Sequence, residues 1–180
     1  IGDEVLVQRA GDVIPKVMES VSSSSENIAF EMPTRCTVCN SEIVKIEGEV
    51  AYRCSNVNCP AQIKARIIHF SGRDAMDIDG LGETLVNQLV DMKCISTISD
   101  IYSLTINTLL SVERVGRKSA INLIAAINAS KHRTFSKFLF GLGIHHIGKH
   151  IADMLAKRYS DMDTLMSITY EELIDIPEEP

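Results

Sequence analysis

Four cysteines place the tightest constraint on what this chain can fold into. Cys36-Thr-Val-Cys39 is followed, fourteen residues on, by Cys54-Ser-Asn-Val-Asn-Cys59. Short Cys-x₂₋₄-Cys turns let two sulfurs converge from one side, and two such turns facing each other supply the four thiolates of a tetrahedral Zn²⁺ site. The intervening residues accommodate two short strands, Ile43-Val44-Lys45-Ile46 and Val50-Ala51-Tyr52-Arg53, joined by a turn at Glu47-Gly48. The spacing therefore predicts a small zinc ribbon over residues 34–64 with Cys36, Cys39, Cys54 and Cys59 as ligands. Four thiolates leave no open coordination position, so the metal is expected to be structural. A redox dithiol would explain Cys36 and Cys39 alone but not the second pair. The fifth cysteine, Cys94, is left over, which suits a reducing compartment and metal ligation better than a disulfide framework. We expect Cys94 to be a semi-buried packing residue and the location to be cytoplasmic.

Before the cysteines, residues 1–33 read as β-rich. Val5-Leu6-Val7 and Val13-Ile14 flank a turn signal at Ala10-Gly11-Asp12, and a polar loop spans Ser22 to Asn27 ahead of Ile28-Ala29-Phe30. So few strands cannot bury enough surface to stand alone. The segment is expected to be the tail of a domain that lies upstream, or to lean on the ribbon. The start at Ile1, with neither a basic nor an apolar leader, fits part of a longer chain. No run approaches the ~20 apolar residues of a membrane-spanning helix.

After Cys59 the period changes from two to about 3.6. Pro60 suits the first turn of a helix, and Ile63, Ile67, Ile68 and Phe70 recur at helical spacing. Glycines punctuate the helical stretch, and they repeat: Gly82, Gly116 and Gly148 each come after an aliphatic residue (Leu81, Val115, Ile147) and precede an amphipathic helical pattern. A shift of 64 also superimposes Ser103-Leu104-Thr105 on Ser167-Ile168-Thr169. Residues 65–180 thus read as an array of about four small helical units, the last at Ile176-Pro177-Glu178-Glu179-Pro180 and degenerate or cut short.

An aliphatic residue followed by Gly at the mouth of a helix is the pattern of a helix-hairpin-helix. Its glycines allow a tight turn and close approach of a ligand, and the free N–H groups of the next helix carry a partial positive charge suited to phosphate. Net charge supports the same reading once it is resolved along the chain. The total is −6, yet residues 113–158 hold nine Lys and Arg against two acids, a local +7, with four of the five histidines. An anionic backbone feels that local field. The competing interpretations are a helical bundle whose glycines merely end helices and a solvated charged face. Three copies in register, next to the basic block, favour DNA held through its backbone without sequence specificity.

The candidate DNA-contacting residues are Gly80, Gly82, Gly116, Arg117, Lys118, His146, Gly148 and Lys149. The first copy, Asp79-Gly80-Leu81-Gly82-Glu83, is flanked by acids, whereas the second and third lack the first glycine but bring cations to the helix start. The second and third are expected to grip most strongly. His145, His146 and His150 lie close in sequence, but with no carboxylate at ligand spacing apart from Asp153 they are read as surface or DNA-facing rather than as a metal site. Lys45-Ile46-Glu47-Gly48 resembles a nucleotidyl-transferase Lys-x-Asp-Gly motif, but it has Glu for Asp, lies inside the predicted ribbon and is read as coincidental.

In combination these motifs resemble the bacterial NAD-dependent DNA ligases. Ala10-Gly11-Asp12-Val13-Ile14-Pro15 is similar to a late strand of that family's OB-fold domain. Pro33 to Cys39 and Tyr52 to Gln62 are similar to its four-cysteine zinc finger, and Ile78 to Gly82 and Gly141 to Gly148 to the first and third of its four helix-hairpin-helix motifs. The pattern departs at Glu178-Glu179-Pro180. The resemblance implies a mainly α piece of an enzyme that consumes NAD to join a 3′-OH to a 5′-phosphate at a nick, with Mg²⁺ assistance. It places the adenylated lysine, the NAD site and most of the OB fold before Ile1, and a small C-terminal domain after Pro180. This chain would then be the DNA clamp, gripping the minor-groove side of nicked duplex, with no catalytic residue of its own. The zinc finger would be the joint between the OB-fold end and the helical repeats. Two alternatives stay open at this point: a non-catalytic helix-hairpin-helix DNA-repair module, and a zinc-stapled scaffold for protein interaction.

Overall fold

The computed structural model describes residues 2–11, 14–22 and 30–174. The expected polar loop through Asn27 and the degenerate fourth hairpin therefore fall largely outside the described residues, as does Val13. Among the described residues the fold is mainly helical, with two small two-stranded sheets.

β1 (Glu4–Ala10) and β2 (Ile14–Ser22) form an antiparallel hairpin with register breaks between Glu4 and Val5 and between Leu6 and Val7. β2 is exposed along its whole length, and Val5, Leu6, Val7, Val17 and Val21 all face solvent. A lone two-stranded hairpin is marginal in water, so packing within the described residues does not account for its stability.

The ribbon comes next. β3 (Ile43–Lys45) pairs antiparallel with β4 (Tyr52–Cys54), which places Ile43 opposite Cys54. Both strands are shorter than the sequence pattern suggests, because Ile46 to Glu49 form the turn and Val50 is left 89% exposed. The turn is where the sequence places it: Glu49 N donates to Ile46 O at 3.0 Å, and Gly48 takes a φ of 84°, the left-handed region open to glycine.

The remaining chain is helical. α1 (Pro60–Ser71) and α2 (Glu83–Asp91) make the first helical pair, which is also linked by an ion pair from Lys64 Nζ to Asp91 Oδ1 at 2.7 Å. A short 3-10 helix, Ser99–Ser103, leads into α3 (Ile106–Leu110) and α4 (Arg117–Ser130), the second pair. α5 (Phe135–Gly141) and α6 (Lys149–Arg158) make the third. α7 (Met162–Met166) and α8 (Tyr170–Ile174) complete the order. The shift of 64 read from the sequence carries α3 onto α8, and both helices start from a threonine, Thr105 and Thr169, whose hydroxyl accepts a backbone N–H of the first turn.

Two apolar cores result. The larger joins the first two pairs around Ile67, Phe70, Leu89, Ile101, Leu109, Leu123 and Ile127. The smaller holds Leu139, Ala152, Leu155 and Tyr159, with Ile147 packed against it. Phe70 lies where they meet, fully buried and edge-on to both Tyr102 and Phe138 at 6.3 Å. Gly141 makes that junction possible: a Cβ there would sit 3.2 Å from Ala75 Cβ and from Phe70 Cδ2. His69 seals the same seam by donating from Nε2 to the Phe140 carbonyl at 2.8 Å, which fixes its tautomer.

Candidate metal centre and nucleic-acid interface

The four predicted ligands come together. Cys36 Sγ lies 3.9 Å from Cys59 Sγ, Cys39 Sγ lies 3.4 Å from Cys54 Sγ, and all four sulfurs fall within 4.8 Å of one another. A tetrahedron with Zn–S bonds of about 2.3 Å has sulfur–sulfur edges of about 3.8 Å, so this donor set fits Zn²⁺. The first turn is drawn tight by Cys36 N donating to Ser41 O and Asn40 N to Cys36 O, both at 2.8 Å, with Asn40 in the left-handed region at φ 59°. On the opposite side, Gln62 Nε2 donates to Cys54 O at 2.7 Å.

The thiols are prepared for deprotonation unequally. Backbone N–H groups of Cys39 and Val38 lower Cys36. The hydroxyl and N–H of Ser41 bring Cys39 down to about 6. At Cys54 the Asn56 N–H favours the thiolate, but burial and the sulfurs of Cys39 and Cys36 outweigh it and push the thiol up to about 12. Such crowding of thiolates is relieved by a divalent cation, which displaces the remaining protons.

The site is also a joint in the fold. Cys59, 1% exposed, is the N-cap of α1: its carbonyl accepts from Ile63 N at 2.9 Å, and Pro60 occupies the first turn. The helix that begins on a ligand ends at Ser71, whose buried hydroxyl donates to Leu81 O at 3.0 Å in the first hairpin.

The three helical pairs repeat one corner. Leu81 N bonds Ile78 O, Val115 N bonds Val112 O, and Ile147 N bonds Ile144 O, at 3.2, 3.2 and 3.0 Å. The residue before each of these aliphatics is left-handed: Gly80 at φ 86°, Arg114 at 66° and His146 at 66°. The second and third copies therefore keep the turn although they lack its first glycine, with Arg and His held in a conformation that costs a non-glycine residue about 1–2 kcal/mol. In sequence Arg114 stands out only as part of a charge block, and alignment on Gly80 is the signal that singles it out.

Each corner ends at a glycine N-cap. Gly82, Gly116 and Gly148 have φ of −86°, −85° and −81° with extended ψ, and none of α2, α4 and α6 has a side-chain cap. Apart from the adjoining residues, no atom among the described residues lies within 4 Å of where a Cβ would sit on any of the three. Neither backbone strain nor crowding within the described residues calls for glycine there. What glycine leaves is an open face over three uncapped helix N-termini, each with free first-turn N–H groups.

Charge around the corners differs. Asp79, Gly80, Glu113 and Arg114 line a groove of about 560 Å³ between the first two corners, so acids share it with one cation. Arg117 and Lys118, at the start of α4, are exposed and have no ion-pair partner among the described residues. Lys149, by contrast, bonds Asp74 Oδ2 at 2.7 Å and lies over the Phe140 ring. Arg133, another member of the basic block, is engaged by Asp77 Oδ2 at 2.6 Å. Gly80 and Arg114 thus meet in one groove, whereas the His146 ring lies tilted against that of His145, 3.8 Å between centroids, beside the ribbon turn. His150 lies apart, in a cavity of about 450 Å³ with Ser136, Asp153 and Lys157. Cys94 is half-buried against the larger core, as expected.

No helix among the described residues is long and apolar enough to cross a membrane. Residues 34–61 match the NAD-dependent DNA ligase C4 zinc finger domain, 72–129 the SAM-like helix-hairpin-helix tandem, and 137–178 the helix-hairpin-helix motif. The chain is 48% identical over 178 residues to a DNA ligase of Syntrophus aciditrophicus, covering 98% of this chain and 26% of that protein. It is also 48% identical over 180 residues to DNA ligases of Bacillus thuringiensis and Bacillus mycoides, covering 99% of this chain and 27% of each. The chain thus spans about a quarter of the length of the curated relatives it matches. A ligase-type C4 finger whose sulfurs fit zinc is thus joined to helix-hairpin-helix pairs in a chain that is similar, over nearly all of its own length, to about a quarter of these DNA ligases.

Proposed function

We propose that residues 65–180 are the DNA-gripping part of an NAD-dependent DNA ligase that seals 3′-OH to 5′-phosphate nicks, with residues 1–33 the end of its OB-fold domain and 34–64 the joint between them. The observation that carries this reading is the threefold recurrence of a glycine N-cap with open space in front of an uncapped helix. A phosphate approaching that face meets helix N–H donors and no Cβ, which favours anions whatever the base sequence.

Within the array the second corner leads. Gly116 opens α4, Arg117 and Lys118 stand exposed beside it, and Arg114 projects from the turn. The third corner, with His146, Gly148 and Lys149, contributes once phosphate competes with Asp74 for Lys149. The first, with Gly80 and Gly82 between Asp79 and Glu83, serves chiefly to build the tandem.

Zinc at Cys36, Cys39, Cys54 and Cys59 supplies cross-linking and no reaction chemistry; these thiolates hold the start of α1 and so the direction in which the first hairpin leaves the ribbon. NAD and Mg²⁺ belong to parts of the full-length cytoplasmic enzyme outside these residues. A gel shift of this chain on nicked and intact duplex at low salt tests the reading. Retarded nicked duplex is expected, and no shift on either would remove the DNA role. Formation of an enzyme–adenylate from NAD by the full-length protein separates a ligase from a non-catalytic repair module.

A further inference from the structure

Glu49 and the pair His145 and His146 lie far apart in the chain and converge outside the cysteine site. Glu49 closes the ribbon turn, while the two histidines form the third corner, and the potential ligand atoms of all three fall within 4.8 Å of one another. Glu49 Oε1 and His145 Nε2 are 2.8 Å apart, across 96 residues of sequence. The two imidazoles lie 3.8 Å apart between centroids.

We infer that these residues form a second metal site, for a transition-metal dication such as Zn²⁺, Co²⁺ or Ni²⁺, clamping the ribbon turn to the third hairpin. Three features build it. The carboxylate is fixed: its side chain is only 20% exposed, and Arg53 bonds Oε2 through Nε at 3.2 Å and Nη2 at 3.1 Å, so Oε1, paired with His145 Nε2 at 2.8 Å, is the oxygen that would turn to a metal once the proton between them is released. His146 stands at the left-handed corner of the third hairpin, φ 66°, and its ring lies beside that of His145. Both imidazoles are exposed at their edges, so small χ rotations bring the donors to the edges of about 3.4 Å that bonds of about 2.0–2.1 Å require.

The donor set selects the ion. Two imidazoles and one carboxylate suit zinc, cobalt and nickel, while Mg²⁺ and Ca²⁺ need more oxygen donors than are present. Arg53 draws charge from the site's one carboxylate and so weakens hard-cation binding further. Unlike the cysteine site, this one keeps positions open for water, and it is reached directly from solvent.

The test is a cobalt(II) titration of the full chain with zinc already held by the cysteines. The wild type is expected to take up about one further equivalent, with the weak visible bands of nitrogen and oxygen ligation. His146→Asn, in which Asn still accepts the left-handed turn, is expected to lose that equivalent. Glu49→Gln is expected to weaken it at least tenfold. Circular dichroism and retained zinc confirm that both variants remain folded. The inference is overturned if the wild type takes up no further cobalt, or if folded His146→Asn and Glu49→Gln bind it as the wild type does.

Discussion

Gly80 and Arg114 occupy the same left-handed corner in successive hairpins, at φ 86° and 66°. Arg114 holds its place because the corner is over-determined by the Val115-to-Val112 hydrogen bond on one side and the start of α4 on the other. Arg114→Gly should therefore stabilise the fold, by about 0.5–1 kcal/mol after the larger entropy of the unfolded glycine chain is set against the relieved strain. Urea denaturation measures this. Arg114→Val, which is β-branched, should shift the midpoint the other way.

Two glycines should respond in opposite ways to the same substitution. Gly141→Ala drives a Cβ against Phe70 and Ala75 in the core and should cost about 1–3 kcal/mol, which outweighs the gain in helix propensity. Gly116→Ala meets open space at an ordinary φ, so its stability should stay within about 1 kcal/mol of wild type. Its affinity for duplex DNA should nevertheless fall about tenfold, or ~1.4 kcal/mol. Thermal denaturation and fluorescence anisotropy on the two variants separate the effects.

Removing the cysteine-bound metal should unfold residues 34–64 first. About one tightly held zinc is expected after dialysis, and chelation should abolish hydrogen-exchange protection in the ribbon and at the start of α1, where Cys59 is both ligand and N-cap. Cys54→Ser should reproduce this loss. A folded, metal-free ribbon would contradict the assignment.

Asp100 gives the fold an acid-sensitive point. Its carboxylate accepts the Ser96 and Thr97 N–H groups, each at 2.8 Å, and these hold it below the usual carboxylate range. A depressed folded-state value means that the stabilisation is complete above the unfolded value of about 3.9 and drains away as pH falls through the lower folded value. Asp100→Asn should lose about 1 kcal/mol at pH 7. The deficit against wild type should narrow as pH falls below the unfolded value of about 3.9, as followed by urea denaturation at each pH.

The ribbon is legible in the sequence because metal geometry leaves few spacings and a Gly turn leaves few registers. The helical array is legible because an apolar period and a recurring Gly mark each unit. Arg114 and His146 do not read as turn residues, since arginine and histidine carry no local signal for the left-handed region and only alignment on Gly80 exposes them. The meeting of Glu49 with His145 is invisible for a different reason: spacing rules find Asp153 as the one carboxylate near the histidines and do not see a contact made across the fold. Likewise, Lys149 reads in sequence as a cation open to phosphate, whereas tertiary packing brings Asp74 to it.

A second corner that grips the phosphate backbone must show itself in the salt dependence of DNA binding by Lys118→Glu. Measured by anisotropy on nicked duplexes of unrelated sequence, affinity should fall by the same factor on all of them, and the slope of log K against log salt should flatten by roughly 1 or more. Affinity and slope both equal to wild type in a folded Lys118→Glu chain would mean that the second corner does not hold the backbone.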